Sequence, residues 1–208
     1  FDHRGYAWVT NNTFQGTPYS GDFNLVFKPN GQPADGRNGT PRSPLLGGGA
    51  LGAGYGVAVG LDGSGWFGNF GWGRCSGCDP SPDGNGSVSH YTRTGNPLSP
   101  PDAYQGGPVK AMGMASDALG NLWISSNSNG SVYVFLHGNP RQSVAFQQYE
   151  GSQPFDLQIA ADGTAWVTNE GGFLGAFPSS VARYALVDGV LQRRFLRFLG
   201  QALKAVAL

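Results

Sequence analysis

Cys75-Ser76-Gly77-Cys78 is the only thiol pair in the chain. A redox pair of this spacing normally opens a helix in a βα setting, and a structural metal site needs two further ligands. Here the pair lies in a Gly/Pro-rich loop, Gly71 to Gly86, with no second cysteine pair. A small disulfide bracing an inserted loop is expected, with free thiols as the alternative. A disulfide would favour an exported protein. Directly after it, Asp79, Ser81, Asp83, Asn85 and Ser87 space oxygen donors like a calcium loop, with Gly84 at the sixth position. The twelfth position is His90, not the bidentate Glu such a loop requires, so a plain insertion is expected.

Other ionisable groups are sparse. The histidines are His3, His90 and His137, and no Ser/His/Asp arrangement can be assembled from their spacing. His90 and His137 fall in or at the end of expected strands and are read as satisfied surface side chains. Arg183, Arg193, Arg194 and Arg197 form a local basic cluster, read as a solvated sheet face. Glu150 and Glu170 are the only glutamates. Asn-X-Ser/Thr occurs at Asn11, Asn38, Asn85 and Asn129, as chance allows in so Asn- and Ser-rich a chain. The 13 acidic and 13 basic residues cancel, which leaves no electrostatic footprint for nucleic acid. No apolar run approaches the roughly 20 residues of a membrane span.

The elements that would position these groups come from a repeat. One phrase recurs four times: Gly5-Tyr-Ala-Trp8, Gly63-Ser-Gly-Trp66, Gly120-Asn-Leu-Trp123 and Gly163-Thr-Ala-Trp166, each followed by small or polar residues. Period-two apolar stretches precede three of them, at Tyr55–Val59, Met112–Ala115 and Phe155–Ile159, and predict strands with one buried face. Asp62-Gly63 and Asp162-Gly163 read as tight hairpin turns. Asp2 to Gly5 and Asp117 to Gly120 read as longer versions. A further strand follows each phrase, at Asn24–Phe27, Ser87–Tyr91, Ser131–Phe135 and Ser180–Tyr184. A fourth, more variable strand is expected at Gln142–Tyr149 and Leu191–Phe198.

Glycine (35 residues) and proline (14) together stand at roughly twice their usual share, which excludes helical bundles and coiled coils. Four short antiparallel strands in a unit of about 43 residues match one blade of a β-propeller. The fold class expected is therefore all-β: a β-propeller segment of about four four-stranded antiparallel blades, part of a six- or seven-bladed ring. Closure as four blades is the alternative. The blades fall at 1–49, 50–107, 108–151 and 152–200, with 201–208 starting a further strand. Phe1 to Arg4 is expected to end a first strand. The four tryptophans should occupy equivalent, largely buried places. Val190 to Leu208 has good helix propensity, but the repeat register makes it strand.

The phrase Gly-Val-Ala-Val-Gly-Leu-Asp62-Gly63-Ser-Gly-Trp66-Phe, with its cousins at Trp123 and Trp166, resembles the repeats of the virginiamycin B (streptogramin B) lyase family. More distantly it is similar to NHL-repeat and SMP-30/gluconolactonase propellers. The resemblance covers nearly the whole chain and speaks for architecture rather than activity. It implies an active blade with Glu and His two residues apart in a first strand and a second Glu after the Trp phrase. The carboxylates would hold magnesium, and the His would move a proton. The matching positions here are Ala53, Tyr55 and Asn69; Lys110, Met112 and Ser126; and Gln153, Phe155 and Asn169, with Glu170 one residue late. None keeps the set. The segment is expected to carry no catalytic residue and no cofactor, magnesium entering only with a lyase blade elsewhere.

A non-catalytic binding or interaction propeller is therefore the leading expectation, extracellular or periplasmic. Its partner would be a small molecule, a glycan or a protein, and further blades or another chain would cover its open edges. An enzyme of the lyase or lactonase type with its catalytic blade outside this segment is the alternative, and a purely structural repeat module is the third reading. The candidate ligand-binding residues are the polar positions after each Trp: Asn11, Asn69, Asn127, Asn169 and Glu170. A position repeated in every blade falls on one rim, where it can serve a ligand or cap strand ends.

Overall fold

A computed structural model of the chain describes residues 1–12, 21–50, 54–70, 87–171 and 177–199. The chain folds as two compact units, Phe1–Gly106 and Gly107–Leu208, each holding two antiparallel sheets. The first unit contains β1 (Ala7–Val9), β2 (Phe23–Phe27) and β3 (Leu45–Leu46), then β4 (Gly54–Val59), β5 (Gly65–Asn69) and β6 (Ser87–Tyr91). The second contains β7 (Ala111–Ser116), β8 (Leu122–Ser126), β9 (Ser131–Phe135) and β10 (Ser143–Gln147). Its other sheet is β11 (Pro154–Ile159), β12 (Ala165–Asn169), β13 (Ser180–Val187) and β14 (Val190–Phe198). In every sheet neighbours in sequence are neighbours in space. Among the described residues the only helical pieces are 3-10 turns at Arg37–Gly39 and Leu136–Gly138.

Among the described residues two of the sheets show three strands rather than four. Phe1–Arg4 is a turn, because the buried Asp2 carboxylate accepts the backbone N–H groups of Arg4 (2.9 Å) and Tyr6 (3.0 Å). The second sheet has three strands among the described residues. Beside β6 stand only the isolated bridges Val88–Tyr104 and Tyr91–Pro97. Pro97, Pro100, Pro101 and Pro108 remove the N–H donors that a ladder would need there. Val190–Phe198 is strand, joined to β13 by Asp188-Gly189 with φ of 50° and 74°, the left-handed pair a two-residue hairpin demands. The segment 201–208 lies outside the described residues.

The four turns before the Trp phrases are one structure, not two lengths. In each, the first residue donates its N–H to the fifth residue's carbonyl: Asp2 to Tyr6, Gly60 to Ser64, Asp117 to Asn121 and Ala160 to Thr164. The fourth residue is always glycine, with φ between 78° and 81°. The aspartate stands first or third in the turn, and from either place its carboxylate accepts turn N–H groups. Asp117 also accepts from Asn121 Nδ2 and Trp123 Nε1, both at 2.8 Å.

Among the described residues each unit has a core between its two sheets. In the first, Trp8 packs with Val26, Leu45, Phe67 and Tyr91. In the second, Trp123 packs with Val134, Leu157, Val167, Ala182 and Tyr184. The Trp of one sheet thus lies on the face of the next. Trp8, Trp66 and Trp123 are buried, as expected. Trp166 is only half-buried, because the face of the fourth sheet that carries it, with Arg183 and Phe195, is partly open to solvent.

Candidate functional site

The first strands of three sheets share an irregularity. A β-bulge interrupts the register of β4 between Gly54 and Val57, of β7 between Ala111 and Met114, and of β11 between Pro154 and Leu157. The bulges hold Tyr55-Gly56, Met112-Gly113 and Phe155-Asp156. The positions where the lyase resemblance places an imidazole are therefore bulge positions, filled by Tyr55, Met112 and Phe155. A bulge leaves backbone groups outside the ladder, and these must be satisfied some other way. In the second unit the residue two after each Trp does so. Ser125 Oγ accepts the Gly113 N–H (2.6 Å) and donates to the Phe155 carbonyl (3.0 Å), linking β7 to β11. Thr168 Oγ1 accepts the Asp156 N–H at 3.2 Å.

The asparagines expected at a rim are engaged inside the protein. Asn69 is buried and donates Nδ2 to Ser87 Oγ (3.0 Å), Ser89 Oγ (2.8 Å) and the Gly49 carbonyl (3.1 Å). Asn169 is buried too. Its Nδ2 donates to Ser180 Oγ and Gln148 Oε1, and its Oδ1 accepts from Gln148 Nε2. Asn127 Nδ2 donates to the Pro154 carbonyl (3.2 Å), and Asn11 Nδ2 to the Gly21 carbonyl (2.9 Å). Each amide ties the end of a second strand to a neighbouring loop, to a third strand or, for Asn127, to the first strand of the next sheet. Glu170 is half-buried, and its N–H donates to the Gln153 carbonyl (3.0 Å). That bond continues the Asn169–Pro154 register, so the bulge of this sheet lies in β11 and not after Asn169.

These residues do not fit magnesium. Asn169 Oδ1, at the position of the second carboxylate, is held by Gln148. Lys110 brings a cation to the other matching place in this unit. Ala53 lies outside the described residues, among which no group of three His, Cys, Asp or Glu side chains converges. The carboxyl that does stand at a bulge is Asp156, which the sequence reading did not single out. Burial pushes it above the usual carboxylate range, against the opposing Leu157 N–H bond of 2.9 Å. Its only sequence signal is a charge inside an otherwise apolar alternation.

His90 is not a satisfied surface side chain. Register places it opposite Trp66, and the rings stack 3.4 Å apart at 10°. Its Nε2 is buried without a hydrogen-bond partner. Burial pushes its pKa down to about 4, against the pull of Asp62. The unfolded chain then binds a proton near pH 6.5 that the folded chain refuses until about pH 4, so stability falls as pH drops through that window. The expected loss is about 3 kcal/mol by pH 4. Urea midpoints between pH 4 and 7 should fall more steeply for the wild type than for His90→Phe, which keeps a stacked ring without a proton site. Parallel curves would refute the assignment.

Arg183 occupies the place opposite Trp166, lies over that ring at 5.5 Å, and pairs with Asp162. Arg193 lies over Phe146, while Arg194 and Arg197 are exposed. His3 and His137 are exposed. Cys75, Cys78 and the Asp79–Asn85 oxygen series lie outside the described residues.

Sheets of this pattern, with a second-strand Trp laid on the next sheet, define a segment of a β-propeller. Solved structures agree. The chain is similar to a protein from Lactobacillus plantarum (TM-score 0.58, 12% identity, 94% of this chain and 53% of that one). It is similar to virginiamycin B lyase from Staphylococcus aureus (TM-score 0.54, 13% identity, 91% and 54%). It is also similar to a Thermus thermophilus protein described as a putative oxidoreductase (glucose dehydrogenase), with TM-score 0.51, 16% identity and coverage of 81% and 56%. The chain spans about half the length of each. No protein-family model matches the sequence. No curated protein sequence matches it either. The kinship with streptogramin B lyases is one of fold.

Proposed function

We propose that this chain is a non-catalytic binding segment of a β-propeller, acting outside the cytoplasm on a small molecule, a glycan or a protein. One observation carries this reading. At the first-strand bulges, where the lyase resemblance puts its proton-transfer group, the second unit carries Met112 and Phe155. Met112 is buried and Phe155 half-buried, and neither a thioether nor a phenyl group moves a proton. Around them Ser125, Thr168, Asn127 and Asn169 are spent on backbone and side-chain hydrogen bonds. The Cys75–Cys78 pair, read as a disulfide, supports a place outside the cytoplasm.

A second reading is favoured by the lyase neighbour, of which this chain covers 54%. There the chain is part of an enzyme whose catalytic blade comes from elsewhere. Magnesium titration followed by backbone amide NMR bears on both readings. Only weak, non-saturating shifts at exposed carboxylates are expected from this chain. A saturable site that moves the amides of Asp156 and Glu170 together would sink the non-catalytic reading.

A further inference from the structure

The interface between sheets has a donor and a receptor, and both are seen twice. The donor is the phrase Trp. The receptor is a small residue at the start of the next sheet's second strand, an apolar residue two further on, and an aromatic residue opposite the first. In the first unit the receptor for Trp8 is Gly65, Phe67 and Tyr91, and a Cβ on Gly65 would collide with the Trp8 ring. In the second unit the receptor for Trp123 is Ala165, Val167 and Tyr184.

The same register puts Ala7, Val9 and Phe27 in those three places in the first sheet, because Ala7 pairs with Phe27 as Gly65 pairs with Tyr91. This receptor is uncovered: Val9 is 37% exposed, and Ala7 and Phe27 are half-buried. The donor of the fourth sheet, Trp166, is uncovered as well, beside Phe195 at 42% exposure. Among the described residues the chain therefore carries a free donor and a free receptor of the kind it joins within each unit.

We propose that the Trp166 face docks head to tail on the Ala7/Val9/Phe27 face of a second copy of this chain, continuing the sheet-on-sheet interface. A heterologous contact of this kind closes when its rotation allows and otherwise adds further copies. The inference rests on the packing of sheets and is independent of what ligand, if any, the segment binds.

Sedimentation equilibrium of the 208-residue chain tests it. The expected result is a mass of two copies, or a mass rising with concentration, that falls to one copy in Trp166→Ala and in Val9→Arg. Circular dichroism verifies that both variants keep the wild-type strand signal. Mixing the two should restore association, since each retains the half that the other has lost. If either variant fails to fold, Phe195→Arg probes the donor face and Phe27→Ser the receptor face. A monomer at every concentration, or association indifferent to all these changes, would overturn the proposal.

Discussion

Trp123→Ala should cost about 3–5 kcal/mol, the range for emptying a large buried aromatic site. The Trp123 ring has no exposed surface and sits among Leu157, Val167, Ala182 and Tyr184 of the neighbouring sheet. Its removal leaves a cavity between two sheets that cannot collapse without moving backbone. Its indole N–H also holds the buried Asp117 carboxylate, which would lose one of its four hydrogen bonds. Within a single copy Trp166→Ala should cost much less, about 1 kcal/mol, because there that ring is half in water. The same residue type in the same phrase thus gives two different penalties. Urea midpoints with an unchanged m-value would measure them. Equal losses at the two sites would mean that sheet-on-sheet burial does not set the stability.

Gly113→Ala is the second large effect. A Cβ at Gly113 would stand 2.7 Å from both the Asp156 Cα and the Leu157 nitrogen, and 2.9 Å from the Asp156 carbonyl carbon. All three are backbone atoms of β11, so no rotamer change relieves the clash. The two inner strands must separate, which also stretches the Ser125 bridge from Gly113 N–H to the Phe155 carbonyl. Overpacking of this kind costs about 1–3 kcal/mol, and a rigid backbone neighbour places it at the upper end. Gly107→Ala is the matched control, since its Cβ meets only Phe135 at 3.9 Å. Thermal melts of the two variants should separate clearly. Coincident melts would show that the bulges do not hold β7 and β11 together.

The strands were legible because each sheet writes the same period-two alternation between Asp/Gly turns, and the tryptophans mark equivalent second-strand positions. The helix propensity read over Val190 to Leu208 was overridden by that register, and Val190–Phe198 is strand. What stayed hidden depends on pairing between strands. A bulge adds one residue and barely disturbs the alternation around Met112 or Phe155, so nothing marked their backbone groups as unpaired. Thr168 and Ser125 stood in the sequence only as small polar residues after a Trp, although each satisfies a bulge. His90 looked exposed because one strand alone does not show that Trp66 lies opposite. Asp2 was read both as the end of a strand and as the start of a turn, and only the bonds from Arg4 and Tyr6 to its carboxylate decide for the turn. The candidate asparagines were placed at the right strand ends, but sequence alone could not show that Ser180, Gln148, Ser87 and Ser89 would occupy their amides.

The non-catalytic reading is tested most directly by incubating the chain with a streptogramin B antibiotic, with and without magnesium, and following ring opening by mass spectrometry. Unchanged antibiotic under both conditions is the expected result, because no bulge position carries an imidazole and Asn169 Oδ1 is already committed to Gln148. Magnesium-dependent ring opening that disappears in Glu170→Ala would contradict it and place the chemistry on the fourth sheet.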